Sequence, residues 1–464
     1  MVVPDPAPGK LAPSFWLAHL PYSPAPPLEG DHRAQVAVVG AGFTGLWTAL
    51  ELRRRDPTLE VAVLEQGVAG FGASGRNGGF ADPSLTHGLA NGVRHFPGEV
   101  DELERLGREN FAGLVADLEA LGIDCDLETS GMLDVATRPH EVAELSEYAE
   151  LAAAHGLAVE LLGPGEVRAR LDSPLFLAGL RRPQDGGVLD PGKLVRGLRR
   201  AAEALGARVW ERTPVLSIAR SGPKLELAVP GGRLLSERVV LATNGYSGKL
   251  LPASLRRFVP VYDYVLVSEP LTKAQMAAVG WAGREGASDA GNRFHYFRLT
   301  ADERLLWGGY DAVYHFGNGV GERYDQRRSS GAKLMRHFAA TFPQLQDLKF
   351  THSWGGCIAT TTRFTPCFGT ALGGRLEYVL GYTGLGVVAS RFAARVLADR
   401  ILAPSSPLLR LRWVTEPPFP FPPEPARAAG IFLVGRALER ADANGGRRGL
   451  LLSALDRLGI GFDS

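Results

Sequence analysis

Three glycines, Gly40, Gly42 and Gly45, stand in a G-x-G-x-x-G pattern, and Glu65 follows about 20 residues beyond the last of them. Residues of these types at this spacing can hold a dinucleotide. Gly40 permits a tight turn, Gly42 lets a pyrophosphate approach the backbone, and Gly45 lets a helix pack closely. That helix starts at Phe43 and Thr44, where free N–H groups and a positive dipole end would face the phosphates. The Glu65 carboxylate, followed by Gln66, can accept protons from ribose hydroxyls. A negative charge there repels a 2′-phosphate, which disfavours NADP.

The flanking elements must hold these groups in place, and they agree with the motif. Gln35-Val36-Ala37-Val38-Val39 is apolar and rich in β-branched residues, as expected of a strand buried on both faces. Leu46 to Arg55 has Leu46, Ala49, Leu50 and Leu52 on or near one helical face. Glu60-Val61-Ala62-Val63-Leu64 reads as a second strand ending at Glu65. A glycine pattern alone is weak evidence; strand, turn, helix, strand and acid together are specific.

A second stretch, Gly70-Phe71-Gly72-Ala73-Ser74-Gly75-Arg76-Asn77-Gly78-Gly79, is dense in small residues. Such a run can lay its backbone against a flat ligand and offer several N–H donors. Here the chain resembles the FAD-dependent oxidoreductases of the D-amino-acid oxidase superfamily, and in particular γ-glutamylputrescine-oxidase-like members. The resemblance implies FAD as the cofactor. It implies an α/β (α+β two-domain) fold, in which a Rossmann-like FAD-binding domain is interleaved with a mostly antiparallel-sheet substrate domain. It also places Gly72, Ala73, Ser74, Arg76, Asn77, Gly78 and Gly79 beside the flavin.

Composition sets outer bounds. A chain of 464 residues can bury a large core, and its 45% hydrophobic content is ordinary for a globular protein. A formal net charge of +1 gives no field that would gather nucleic acid or an anionic membrane. Cys125, Cys357 and Cys367 are few and far apart, so they suggest neither a disulfide framework nor a metal site and fit a reducing cytoplasm. No apolar run reaches the length of a membrane span, and the N-terminus lacks the pattern of a secretory signal.

Read in order, residues 1–34 form a proline-rich arm with Phe15, Trp16, Leu17 and Tyr22 as packing points. Residues 35–100, 190–255 and 350–403 are expected to build a discontinuous FAD-binding domain, and residues 101–189 and 256–349 the substrate domain. Residues 404–464 form a C-terminal arm and one helix. Helices are expected over residues 99–121 and 139–155, and after Asp190-Pro191, a good N-cap followed by a first-turn proline. Short strands then follow from Ala207, with Val215 at the start of one of them.

In the resembled family, Val215 and the turn Thr243-Asn244-Gly245 lie against the dinucleotide. Gly356 and the turn Gly381-Tyr382-Thr383-Gly384-Leu385-Gly386 lie at the flavin end. This last turn opens another helix, whose N–H groups can stabilise charge on the flavin's pyrimidine ring. Sarcosine oxidases of the superfamily carry a lysine just beyond it; here the chain reads Gly386-Val387-Val388-Ala389, with no cation. Cys357-Ile358-Ala359-Thr360-Thr361-Thr362 resembles the run whose cysteine is linked to flavin in monomeric sarcosine oxidases. Relatives of the γ-glutamylputrescine type lack this cysteine, so non-covalent FAD is the expectation and a bond to Cys357 the alternative.

For the substrate, Tyr264, Tyr296, Arg298 and Trp354 are the candidate catalytic and binding residues, with Tyr262 sharing a strand face with Tyr264. The aromatics would desolvate an amine, and Arg298 would grip a carboxylate, with Arg363 or Arg76 as substitutes. The expected reaction is oxidation of a C–N bond in a small amine or amino acid by hydride transfer to flavin N5. The alternatives are oxidation of a 2-hydroxy acid, a non-catalytic flavin-binding protein, or an aromatic hydroxylase.

Overall fold

The computed structural model describes residues 14–460. Strand Gly30–Val39 runs through the middle of an eight-stranded sheet. It starts ahead of Gln35 because Gly30 to Ala34 already pair in register with Gly232 to Ser236. Its apolar end is buried on both faces, and alternation divides it. Val36 and Val38 enter one core, while Ala37 and Val39 enter another on the opposite side.

The first core packs beneath helices Phe43–Arg55, Val100–Ala120, Pro191–Ala204 and Gly386–Leu402. The second packs beneath the hairpin Ser217–Ser221 and Lys224–Val229. Strands Val61–Leu64, Arg208–Trp210, Gly232–Leu241 and Leu376–Leu380 extend the sheet in parallel, and Cys367–Ala371 closes one edge antiparallel. Asp190 caps Pro191–Ala204 by accepting from the N–H groups of Gly192 and Lys193.

The second sheet has nine strands, drawn from Met132–Arg182 and Val259–Thr360. Every pairing in it is antiparallel except that of Gly286–Asp289 with Met132–Ala136. The architecture is therefore the expected mixture of a helix-covered parallel sheet and an antiparallel sheet. Phe350–Thr360, assigned from sequence to the cofactor-binding part, instead pairs along Val259 to Ser268 in this second sheet. Its glycines admit neighbours there: a Cβ at Gly355 would lie 2.7 Å from the Tyr264 ring.

Two arms complete the molecule. Phe15, Trp16 and Leu17 are buried in the short helix Phe15–Ala18, and Trp16 Nε1 donates to the carbonyl of Asn77 at 2.8 Å. The first 13 positions of the proline-rich arm lie outside the described residues. Among the described residues, the tail beyond Pro425 holds two helices, Ala426–Ala443 and Leu450–Arg457, where one was expected. Gly445 and Gly446, both at positive φ (65° and 77°), break the run between them. The last four residues of the tail also lie outside the described part. Among the described residues, no helix is long and apolar enough to cross a membrane.

Candidate active site

A cavity of about 800 Å³ begins where Gly30–Val39 and Gly232–Leu241 end and runs to the second sheet. The carboxyl ends of parallel strands are where such sheets open a crevice. Gly40 turns the chain there with φ of +104°. Gly45 lets the helix approach: a Cβ on it would lie 1.9 Å from the carbonyl oxygen of Gly40. Gly42 has a role not anticipated from sequence. A Cβ there would lie 2.8 Å from Ser74 Oγ, which accepts the N–H of Phe43 at 2.9 Å. The two glycine-rich stretches thus lock together. Neither Gly42 nor Leu385 gives a side-chain cap to the helix it heads, Phe43–Arg55 or Gly386–Leu402; Ser74 takes the first N–H of the former, and residues at both N-termini line the cavity.

Glu65 accepts from the N–H of Ala41 at 2.8 Å and of Gly67 at 2.9 Å, and burial pushes its pKa upward. Gln66, Val215, Thr243, Asn244 and Gly245 continue the wall. Asn244 Oδ1 accepts the N–H of Gly381 at 2.8 Å, joining the turns that end two neighbouring parallel strands. Thr44, Thr383, Gly384, Leu385 and Gly386 also line it, and the Thr44 hydroxyl meets the Tyr382 hydroxyl at 2.8 Å, joining the two glycine turns.

The loop Gly72 to Gly78 forms one side of the cavity. Asn77 holds it from within, donating to the carbonyls of Ala73 and Ser74 and accepting from the N–H of Gly79. Arg76 ties it to the second sheet. It donates to the carbonyls of Phe71 and Gly355 and pairs with Asp325 at 2.5 Å. Its side chain is 1% exposed, so its charge is committed to structure rather than to a substrate carboxylate. Gly356 packs on the stem of Arg76. Gly45, Gly79 and Gly381 stand behind the wall and shape it without lining it. Cys357 touches the cavity but pairs with Tyr262 and packs in the same core, and burial pushes its thiol pKa up to about 12.

Of the four substrate-site candidates, only Tyr296 lines the cavity. Its hydroxyl donates to Asp263 Oδ2 at 2.5 Å, and burial raises the pKa of Asp263 to about 6. Tyr262 and Tyr264 do share a face, but it is the face turned away. Both rings enter the core beyond the sheet and hydrogen-bond the backbone at Gly321 and Tyr324. Trp354 packs with Trp16 and donates to the carbonyl of Arg76 at 2.9 Å.

Arg298 points under the glycine loop, where it donates to the carbonyls of Gly79 and Leu189 at 3.0 and 2.8 Å. Full burial lowers its pKa to about 10. Arg363 donates to Thr365 Oγ1 and to the carbonyl of Glu416, bracing the tail.

Residues 35–400 match the family model described as FAD dependent oxidoreductase. The chain belongs to this family. It is 31% identical over 383 residues to gamma-glutamylputrescine oxidoreductase of Escherichia coli, covering 82% of this chain and 86% of the relative. It is 30% identical over 389 residues to a probable oxidoreductase, OrdL, of Haemophilus influenzae, covering 81% and 85%. Among solved structures, glycine oxidase from Geobacillus kaustophilus superposes with a TM-score of 0.67 at 23% identity, over 81% of this chain and 98% of that one.

As an FAD-dependent oxidoreductase, the chain needs a wall opposite the cofactor turn. The residues that build it were missed from sequence. Asp263 carries the Tyr296 hydroxyl, and Val261 and Val265 flank it on the same strand face. The signal was present in the alternation of Val259–Pro270: if Tyr262 and Tyr264 share one face, Val261, Asp263 and Val265 share the other. Phe80, Tyr246 and residues of the tail complete the lining.

Proposed function

We propose that this chain binds FAD without a covalent link and oxidises the C–N bond of an amine or amino acid. The observation that carries this reading is one continuous cavity joining the Gly40–Gly45 turn to the Tyr296–Asp263 wall. The name of the relative gamma-glutamylputrescine oxidoreductase supports an amine substrate. Gly40, Gly42, Phe43, Thr44 and Glu65 would hold the adenosine half. The loop from Gly72 to Gly78, the turn at Asn244 and the helix end at Leu385 and Gly386 would hold the flavin half. The features that fit FAD are the left-handed turn at Gly40, the two helix N-termini on the cavity wall and the buried carboxylate of Glu65. The three cysteines are free and buried, which supports a reducing cytoplasm as the setting.

Bound FAD supplies a hydride acceptor for the carbon next to nitrogen. The chain's own task is to present that carbon with the amine uncharged. Apolar groups such as Phe80, Val261 and Val265 line the cavity and disfavour an ammonium. The Tyr296 proton is committed to Asp263, so the phenol oxygen is left as an acceptor for an N–H of the amine. The nitrogen lone pair then stays free to stabilise the cation forming at carbon. Water hydrolyses the imine that leaves.

The test is anaerobic mixing of the holoenzyme with candidate reductants. Amines are expected to bleach the flavin, at a rate that rises with pH as they deprotonate. Bleaching by 2-hydroxy acids alone would assign C–O oxidation, and bleaching by NADPH a hydroxylase. A flavin that nothing reduces would mark a binding protein.

A further inference from the structure

The family match ends at residue 400, yet the tail beyond it lines the cavity. Helix Ala426–Ala443 lines the cavity with Gly430, Ile431, Val434 and Leu438, a helical spacing that makes one face. Phe432 and Leu433, on the other side, are 66% and 55% exposed. Polar contacts fix the helix to the second sheet: Arg293 pairs with Glu439 at 2.8 Å, and Asn292 donates to Asp442 at 2.6 Å. The segment before the helix is fixed as well, since Thr362 Oγ1 donates to the carbonyl of Phe419 and the N–H of Phe421 donates to the carbonyl of Arg256.

We propose that this helix is the substrate-facing roof of the cavity and that Gly430, Ile431, Val434 and Leu438 select amines carrying an alkyl or aryl group at the end remote from the reacting nitrogen. The ionic groups beneath the roof are already partnered. Arg293 is held by Glu439, and Asp134 accepts from Ser288 and pairs with Arg182. What the roof adds is therefore carbon surface. Gly430 leaves room: a Cβ there would meet nothing within 4 Å. The substrate class rests on the amine reading above.

Binding of a ladder of n-alkylamines to the holoenzyme, read from the flavin absorbance under anaerobic conditions, tests the roof, with a matching ladder of 2-hydroxy acids in parallel. In the unmodified protein, each added methylene should tighten binding about fourfold until the chamber is full. Gly430→Trp should end that gain at a shorter chain. Leu438→Ala should flatten it for the longest members. FAD content and melting temperature certify that each variant is folded. A ladder of the same slope and length in both folded variants overturns the roof. If only hydroxy acids bind, the amine reading falls and the roof is judged on their ladder. If neither ladder gives a response, both fall together.

Discussion

Tyr296 reaches across an intervening strand to donate its hydroxyl to Asp263, and Gly308 beneath the ring makes this reach open to it. Gly308 pairs with Tyr296 on one side and with Val265 on the other. A Cβ on Gly308 would lie 2.5 Å from the phenol ring. The position of a phenol on the cavity wall is thus set by the absence of a side chain on its neighbour.

Gly308→Ala should push the ring aside, break the bond to Asp263 and destabilise the fold by about 1–3 kcal/mol, the usual range for overpacking. FAD content should hold while flavin reduction by amine slows about tenfold or more. Stopped-flow reduction of the purified variant measures this. An unchanged rate would remove Tyr296 from the substrate site.

Asp263 gives a pH signature. Its folded pKa of about 6 lies above the ordinary carboxylate value, with burial as the largest cause. A raised pKa means that the native state prefers the protonated form. The stability contribution is full below about pH 4 and is lost as pH rises through 6. Asp263→Asn keeps the site neutral at every pH. The unfolding free energy of the wild type minus that of the variant should therefore decline between pH 4 and 7, by on the order of 2–3 kcal/mol. Denaturant melts of both proteins at four pH values give the curve; a flat difference refutes the shift.

The half of the cavity proposed to hold FAD was legible in the sequence because its geometry is local. Gly40, Gly45 and Glu65 lie within one strand–turn–helix–strand unit, and each has a geometric task that few residue types can perform. The substrate half was not legible, because the face a strand presents is decided by partners far away in sequence. Alternation correctly paired Tyr262 with Tyr264, but the core that claims both also holds Leu334 and Phe338 of the helix Arg328–Thr341. Arg298 shares a face with Tyr296, yet the carbonyls of Gly79 and Leu189 capture it before it reaches the cavity. The break at Gly445-Gly446 could have been read from the sequence. The roof could not, because it depends on Asn292 and Arg293 meeting the tail.

Glu65→Ala should weaken FAD retention by about 1–3 kcal/mol, through the loss of charge-assisted bonds to ribose and of acceptors for Ala41 and Gly67. Equilibrium dialysis of the apoprotein against FAD reads the change directly. Retention equal to wild type would move the ribose contact elsewhere.

Arg298→Ala should act on the cofactor loop, not on substrate. Two carbonyl acceptors lose their donor in a buried setting, at a cost of about 1–3 kcal/mol each. FAD should dissociate more readily, while the affinity of the remaining holoenzyme for amines stays the same. A selective loss of affinity for carboxylated amines would return Arg298 to the substrate site.

Cys357 should remain a free thiol. Attack on the flavin needs a thiolate, and a thiol pKa of about 12 leaves almost none at neutral pH. Acid precipitation should give a colourless pellet and a yellow supernatant; a yellow pellet would show the bond.

The pairing of Gly30–Val39 also governs how the molecule is made. One neighbour, Val61–Leu64, leaves the ribosome soon afterwards, but the other, Gly232–Leu241, follows only after three strands of the second sheet, Met132–Ala136, Glu160–Leu162 and Ala178–Arg182. Until then the strand keeps one open hydrogen-bonding edge, a template for pairing with other nascent chains. The lobes cannot mature one after the other, since each waits for sequence that lies beyond part of its companion. Assembly is consequently a late, long-range event, and chaperone dependence during synthesis follows from the order of the strands.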